Sequence, residues 1–428
     1  MIMTRSFKAS EERLKKTLPI IPLASQTFSK SHIQFPEGFS PLFLERGDGA
    51  EVWDVDGNNY IDFICARASI ILGYCDIDVD AAVVKQMKKG VSFSLSHPLE
   101  LELAEKLTSI IPCAQMVRFG KNATDSTTGA IRLARAFTNK QHILSCGYHG
   151  WNDWYIAGTT RNLGIPSELT SLIHNFQYND IASLEKRFSE YENQIAAVIM
   201  EPMNFVFPSD DFLNKVELLC KKNNALLIFD ETITGFRFGL GGAQAHLNVT
   251  PDLAVFGKAI ANGYPLSALV GRADIMQLYE HVFLSSTFGG ETLSIAAALA
   301  TIDKLEKNKI PEKIYETGTA LSQKLKALIT KYHLQNEIEL IGHPSWLCMK
   351  YLKDADFKIK TFIAYSMIAQ GILIQLTHNL SASHTDEHIR ILMASYEHTF
   401  QLLQNALQSG SVDDILPCPP VQPIFKIR

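Results

Sequence analysis

The sequence predicts an α/β protein: one large, mostly parallel sheet with helices on both faces, and a smaller α+β domain from the N- and C-terminal segments. Short apolar runs at Ile143-Leu144, Ala196 to Met200, Leu226 to Phe229, Leu253 to Phe256 and Ala268 to Val270 alternate with helical stretches. That alternation is the pattern of a parallel sheet. The runs are continuous rather than alternating in polarity, as strands buried on both faces require. At 428 residues the chain has room for about two or three domains. The expected division is 1–75 for an N-terminal segment and meander, 76–305 for the large domain and 306–428 for the C-terminal part of the small one.

The first element is a short amphipathic helix from Glu11 to Leu18. Phe43 to Phe63 alternates apolar and polar residues around Asp48-Gly49 and Asp56-Gly57, which are hairpin-turn dipeptides, so a small antiparallel meander is expected. A helix over Val79 to Lys89 closes at Gly90, and one over Leu99 to Ile111 stops at Pro112. Ser126 to Phe137, Ile181 to Ser189 and Phe212 to Asn223 are the helices that cover the sheet. Two more, Ser294 to Lys307 and Glu312 to Tyr332, lead out of it. Ile338 to Leu352 and Ile372 to Leu376 read as strands, and His388 to Gln408 as a closing helix.

Composition narrows the function classes. Hydrophobic residues make up 46% and charged residues 20%, with a net charge of −5, an ordinary globular balance. No dense Lys/Arg tract points to a nucleic-acid partner. The seven cysteines (Cys65, Cys75, Cys113, Cys146, Cys220, Cys348 and Cys418) include no Cys-x-x-Cys pair. They fit reduced thiols in a cytoplasmic enzyme better than a disulfide framework or a metal site. No stretch is long and apolar enough to cross a bilayer, so a soluble protein is expected.

The chemistry gathers at strand ends, where parallel sheets carry their catalytic groups. One apolar run ends in Asp230-Glu231 and the next in Gly257-Lys258. An amine and a carboxylate so placed suit pyridoxal 5′-phosphate (PLP), in which a lysine forms the Schiff base and an aspartate keeps the pyridine nitrogen protonated. Plainer readings exist: Asp230 as a helix N-cap and Lys258 as a surface lysine, although Phe256-Gly257-Lys258-Ala259-Ile260 is too apolar for the latter. Asn122, Ala123 and Thr124 precede a helix whose N–H groups and dipole suit a phosphate, or else supply only a Thr124 cap. No G-x-G-x-x-G opens that helix, which argues against a nicotinamide oxidoreductase.

Six motifs in order carry a family resemblance: Gly120-Lys121-Asn122-Ala123-Thr124-Asp125, Gly147-Tyr148-His149-Gly150, Glu201-Pro202, Asp230 to Arg237, Phe256-Gly257-Lys258 and Thr287-Phe288-Gly289-Gly290. The set resembles the class III aminotransferases of PLP fold type I, and within them the glutamate-1-semialdehyde 2,1-aminomutase branch. The resemblance implies that Tyr148 stacks on the cofactor ring and that His149 holds its loop. It places Glu201 near the cofactor's O3′. It also implies that Thr287 reaches the phosphate of the neighbouring subunit, so that the active sites of a homodimer are shared.

The chain departs from the family in places that bear on substrate. Asn122-Ala123 stands where the family has Ser-Gly, and the segment Trp151 to Pro166 is shorter than the family's lid. Arg67 replaces a tryptophan, and the family's N-terminal arginine has no counterpart in Thr27 to His32, which offers Lys30. Arg67 and Trp151 are the candidate substrate residues, with Arg67 either an anion contact or a structural ion pair. A shorter lid favours release of the keto product, hence transamination. The expected reaction moves an amino group from an amino acid to a polar keto or aldehyde acceptor. Lys121-Asn122, Gly147 to Trp151 and Ser383 to Glu387 resemble a subgroup associated with surface polysaccharide and amino-sugar pathways, and that resemblance implies a sugar-derived or phosphorylated acceptor. Glutamate-1-semialdehyde 2,1-aminomutase is the alternative. A non-catalytic ligand-binding member of the fold is a remoter one, against which the retention of both Asp230 and Lys258 speaks.

Overall fold

The protein was analysed as a computed structural model, which describes residues 5–209, 211–410 and 412–422. Two compact units emerge: one from the residues up to Arg67, Ile71–Asp76 and the chain from Lys313 onward, the other from Ala68–Ile70 and Ile77–Glu312.

The first unit opens with α1 (Lys8–Thr17) and the antiparallel meander β1 (Leu44–Asp48), β2 (Glu51–Asp54) and β3 (Asn59–Asp62). Asp54 organises the second turn, because its Oδ1 accepts the N–H groups of Asp56 and Asn58 at 3.0 and 2.8 Å. Its Oδ2 accepts the Tyr60 hydroxyl at 2.9 Å.

The second unit holds helices α2 (Ile77–Met87) and α3 (Pro98–Ile110) and a seven-stranded sheet. Its strands are β4 (Met116–Gly120), β5 (His142–Cys146), β6 (Ile173–Asn175), β7 (Ile195–Met200), β8 (Leu226–Asp230), β9 (Leu253–Phe256) and β10 (Ser267–Gly271), in the order β4-β10-β9-β8-β7-β5-β6. Every pairing from β9 to β6 is parallel, and only β10 runs antiparallel to its neighbours. All six residues of β7 and all five of β8 are buried, which is why their sequences are unbroken apolar runs.

Helix α4 (Ala123–Thr138) puts Ala130, Ile131, Leu133 and Ala134 into one core with Ile143, Ile199, Ile228, Val255 and Leu269. Burying each large aliphatic side chain there stabilises the fold by about 1.5–3 kcal/mol. Helices α5 (Ile181–Glu190), α6 (Phe212–Lys222) and α7 (Thr292–Lys307) complete the unit's main cover.

From α8 (Ile310–Lys331) the chain passes to the first unit again. There β11 (Ile338–His343), β12 (Trp346–Tyr351) and, after helix α9 (Lys358–Ala369), β14 (Thr377–His378) form a second small sheet. Strand β13 (Ile372–Leu373) instead joins the meander, parallel to β3. Helix α10 (Asp386–Ser409) closes the fold.

Two of the elements that the sequence pattern did not show, strand β4 and helix α9, have a clear physical reason. Strand β4 carries Arg118 at its centre and pairs only with β10, so it lacks the apolar run of a central strand. Helix α9 buries Ile359, Thr361, Phe362, Ile363, Ser366, Met367 and Ile368, nearly its whole circumference, which erases the one-sided periodicity that marks a surface helix.

Candidate active site

The strand register assembles the site. Cys146 pairs with Met200, Met200 with Phe229, and Asp230 with Val255. Residues at or just past the ends of four neighbouring strands therefore share one edge of the sheet: Gly147 to His149, Glu201, Asp230 and Lys258.

Asp230 is buried as the last residue of β8. Its Oδ2 lies 2.9 Å from His149 Nδ1, and its Oδ1 accepts the Thr232 amide and hydroxyl at 3.1 and 2.5 Å. An ionised carboxylate has about four acceptor positions. Three are engaged, which leaves one for the N–H of a pyridinium ring. His149 is itself buried, and its Nε2 lies 3.2 Å from the Cys146 carbonyl. Both of its partners only accept, so each bond requires a proton on the ring nitrogen that makes it. The sequence assigned His149 to loop-holding alone. Its pairing with Asp230 spans 81 positions, a distance no local pattern covers.

Lys258 follows Gly257 off the end of β9 and begins a single 3-10 turn with φ of +48°. A left-handed conformation costs a non-glycine residue roughly 1–2 kcal/mol. Such strain persists where surrounding structure enforces it, which is often at functional sites. The lysine is half-buried, and its charge lowers the pKa of Glu201. Glu201 Oε1 accepts the Tyr148 amide at 3.3 Å. Burial pushes the Glu201 carboxyl up to about 7, with the Asp230 charge acting the same way and His149 and Lys258 opposing.

The other end of the site is the start of α4. Asp125 Oδ2 accepts the N–H groups of Lys121 and Asn122 at 3.0 and 2.8 Å, and this reciprocal cap starts the helix at Ala123, before the expected Ser126. The first-turn amides of Ala123 and Thr124 have no intrahelical acceptor. Gly150 lies against them with φ of +105°, and a Cβ there would fall 2.4 Å from Thr124 Oγ1. The loop after β5 thus closes over Thr124 only because this residue is glycine. Open amides at one end, and a carboxylate with one unused acceptor position at the other, fit the phosphate and ring nitrogen of PLP.

The remaining candidates are less tightly joined. Tyr148 is 51% exposed and stands edge-on to Tyr155 at 5.7 Å, whose hydroxyl donates to the Gly147 carbonyl at 2.8 Å. Thr287 lies exposed in the stretch before α7. Trp151 is 70% exposed, gives its amide to Thr124 Oγ1 at 3.4 Å, and lines a cavity of about 360 Å³ with Thr128, Arg132 and Arg135. Arg67 belongs to the first unit, where its Nη1 donates to Gln375 Oε1 at 2.5 Å. Glu231, beside Asp230 in sequence, is fully buried and braces the chain that follows. It accepts Thr234 Oγ1 at 2.6 Å and the amides of Ala243 and Gln244 at 2.6 and 2.8 Å.

The sequence model of the family "Aminotransferase class-III" matches residues 34–407. The 3-aminobutyryl-CoA aminotransferase of Cloacimonas acidaminovorans is 38% identical over 368 residues, 83% of this chain and 88% of that protein. The glutamate-1-semialdehyde 2,1-aminomutase of Desulforamulus reducens is 38% identical over 342 residues, 76% of this chain and 78% of its own. Among solved structures, FumI of Sphingopyxis sp. MTA144, determined with its PLP bound, matches with a TM-score of 0.86 at 28% identity, covering 95% of this chain and 98% of that one. The chain therefore belongs to the class III aminotransferases, PLP-dependent enzymes of fold type I, and is closely related to the glutamate-1-semialdehyde aminomutases within them.

Proposed function

We propose that the protein moves an amino group onto and off a small amino-acid-like substrate, with glutamate-1-semialdehyde 2,1-aminomutase chemistry as the first reading. The observation that carries the amino-transfer chemistry is the shared sheet edge on which the Asp230–His149 pair stands beside the strained Lys258. Bound there, PLP supplies the electron sink that makes a substrate Cα–H bond acidic. Asp230 holds a proton on the ring nitrogen, and His149 keeps that carboxylate oriented. Lys258 would hold the cofactor through its aldehyde, and its amine would carry the proton away from a substrate Cα. Asn122, Ala123 and Thr124 hold the phosphate, Tyr148 covers the ring, and Glu201 stands on its O3′ side. Thr287 completes the phosphate site of the partner in a homodimer.

Relatives named as aminomutases, at 32–38% identity, support exchange within one molecule. None of the relatives above is named for a sugar acceptor, and the only phosphates in their names belong to the coenzyme A carrier of 3-aminobutyrate, so the acceptor expected from the sequence gives way to a small amino-acid-like one. Transfer between two molecules is the second reading. It is favoured by Arg67 in place of the branch's tryptophan, by the short 151–166 segment and by the 3-aminobutyryl-CoA aminotransferase relative.

One experiment separates the two. The purified yellow protein is given glutamate-1-semialdehyde alone, and its isomer 5-aminolevulinate is measured. Stoichiometric conversion without an added keto acid supports the aminomutase. Conversion only when glutamate and a keto acceptor are both present supports transamination. A protein that stays colourless with added PLP sinks both.

A further inference from the structure

The stretch Gly120-Lys121-Asn122 joins β4 to α4 and sets where the first-turn amides of that helix stand. It is held at each residue. Gly120 packs so closely on β10 that a Cβ would fall 2.8 Å from Ser267 Oγ. The Asn122 carbonyl accepts the Ser267 hydroxyl at 2.8 Å, and the Asn122 amide donates to Asp125 Oδ2 at 2.8 Å. Between them, Lys121 donates its amide to the same Asp125 oxygen at 3.0 Å and sends its side chain to the start of α7. There its Nζ donates to Glu291 Oε2 at 2.9 Å.

This ion pair differs from one at an open surface. The two side chains are only 16 and 13% exposed, so water screens the attraction less. Glu291 is also immobilised by α7, whose first amides have no intrahelical acceptor. Its Oε1 accepts the Leu293 amide at 2.7 Å, and its Oε2 accepts the Ser294 hydroxyl at 2.7 Å. The lysine is therefore fastened to a helix end. The residues leading to that end rest against the same region: a Cβ on Gly289 would lie 3.1 Å from the Phe119 carbonyl of β4, and one on Gly290 2.7 Å from the Glu100 carboxylate of α3.

The plainer role for a lysine beside a phosphate cup is to face the phosphate as its counter-charge. Here Glu291 already takes up that charge, and the backbone of Lys121 is already spent on Asp125.

We infer that Lys121 and Glu291 are positioning residues for the cofactor phosphate: their ion pair locks the 120–122 turn to the start of α7, so that the amides of Ala123 and Thr124 are in place before the cofactor arrives. A preorganised site binds more tightly because less ordering remains to be done on binding. The inference rests on the proposed function in placing the phosphate at Asn122, Ala123 and Thr124. The two residues stand 170 positions apart, and no motif connects them.

The test compares the affinity of the apoprotein for PLP with its affinity for pyridoxal, which has the same ring and aldehyde and lacks the phosphate. Visible absorbance reads both. Lys121→Met and Glu291→Gln are each expected to weaken PLP binding roughly tenfold, the low end for a hydrogen bond between charged groups, and to leave pyridoxal binding unchanged. Lys121→Arg keeps the charge and should restore part of the PLP affinity. The double variant should lose no more than either single one, because each substitution alone breaks the pair. Glu291→Gln keeps an oxygen for the α7 cap, and it carries the test if Lys121→Met does not fold. A lysine that served as the phosphate's own counter-charge would be freed in Glu291→Gln, so tighter PLP binding there overturns the inference. Unchanged PLP affinity in either single variant, equal losses for PLP and pyridoxal, or additive losses in the double variant also overturn it. A selective loss of PLP affinity in a protein without amino transfer overturns the proposed function and leaves the positioning pair standing.

Discussion

Lys258 and Asp230 face different physical demands. In the proposed role the lysine reaches an aldehyde from a conformation that side chains avoid, and its φ of +48° shows the chain accepting that strain. Lys258→Ala is expected to abolish the visible absorbance of lysine-bound PLP and to lower amino transfer by roughly 10²–10⁴-fold or more, the scale of a lost acid–base group. Retained absorbance at the wild-type wavelength would exclude Lys258 from that role. Glu201 makes a separate, pH-dependent prediction. Its carboxyl moves from an ordinary 4.5 to about 7 in the folded protein, mainly because it is buried. The folded apoprotein therefore binds the extra proton between those values. The stability this brings is present below about 4.5 and is lost as pH rises through about 7. Glu201→Gln should flatten that fall, and urea midpoints of the apoprotein at pH 5 and pH 8 measure it. Parallel pH dependence in wild type and variant would show that other groups govern the slope.

The loop after β5 and the first turn of α4 form one working unit. Tyr155 pins the loop through Gly147, His149 anchors it to Asp230, and Gly150 lets it close over Thr124. Gly150→Ala adds a methyl 2.4 Å from Thr124 Oγ1 at a left-handed position. A stability loss of about 1–3 kcal/mol is expected, together with faster loss of PLP on dialysis. Wild-type PLP retention would show that the loop has room to move aside. The motif Tyr148-His149-Gly150 was legible in the sequence, and so was the helix that follows Gly120. Their meeting was not, because Thr124 and Gly150 follow strands five positions apart in the sheet, and no local pattern places one against the other.

At the scale of the molecule, Ile77, Leu95, Leu101 and Phe283 are 78, 85, 63 and 84% exposed in the second unit. Large apolar side chains left in water at this level invite a partner surface. With Thr287 exposed in the stretch that follows Phe283, a homodimer is expected, with a sedimentation mass near twice the 47.8 kDa chain. Thr287→Ala should then weaken PLP retention without changing that mass. A monomer that retains full activity would refute the shared site.

The sequence by itself determined the fold class and the cofactor, and it singled out the two residues proposed to stand at the centre of the chemistry. Buried parallel strands need unbroken apolar runs, and the polar residues that end such runs stand out. Local patterning could not determine which polar groups meet. His149 as the partner of Asp230, Glu231 as a buried brace for the amides of Ala243 and Gln244, and Gln375 bound to Arg67 across 308 positions all depend on strand order and register. Contacts between side chains far apart in the chain are fixed only when the sheet is built, and at this site they set the charge, the strain and the space.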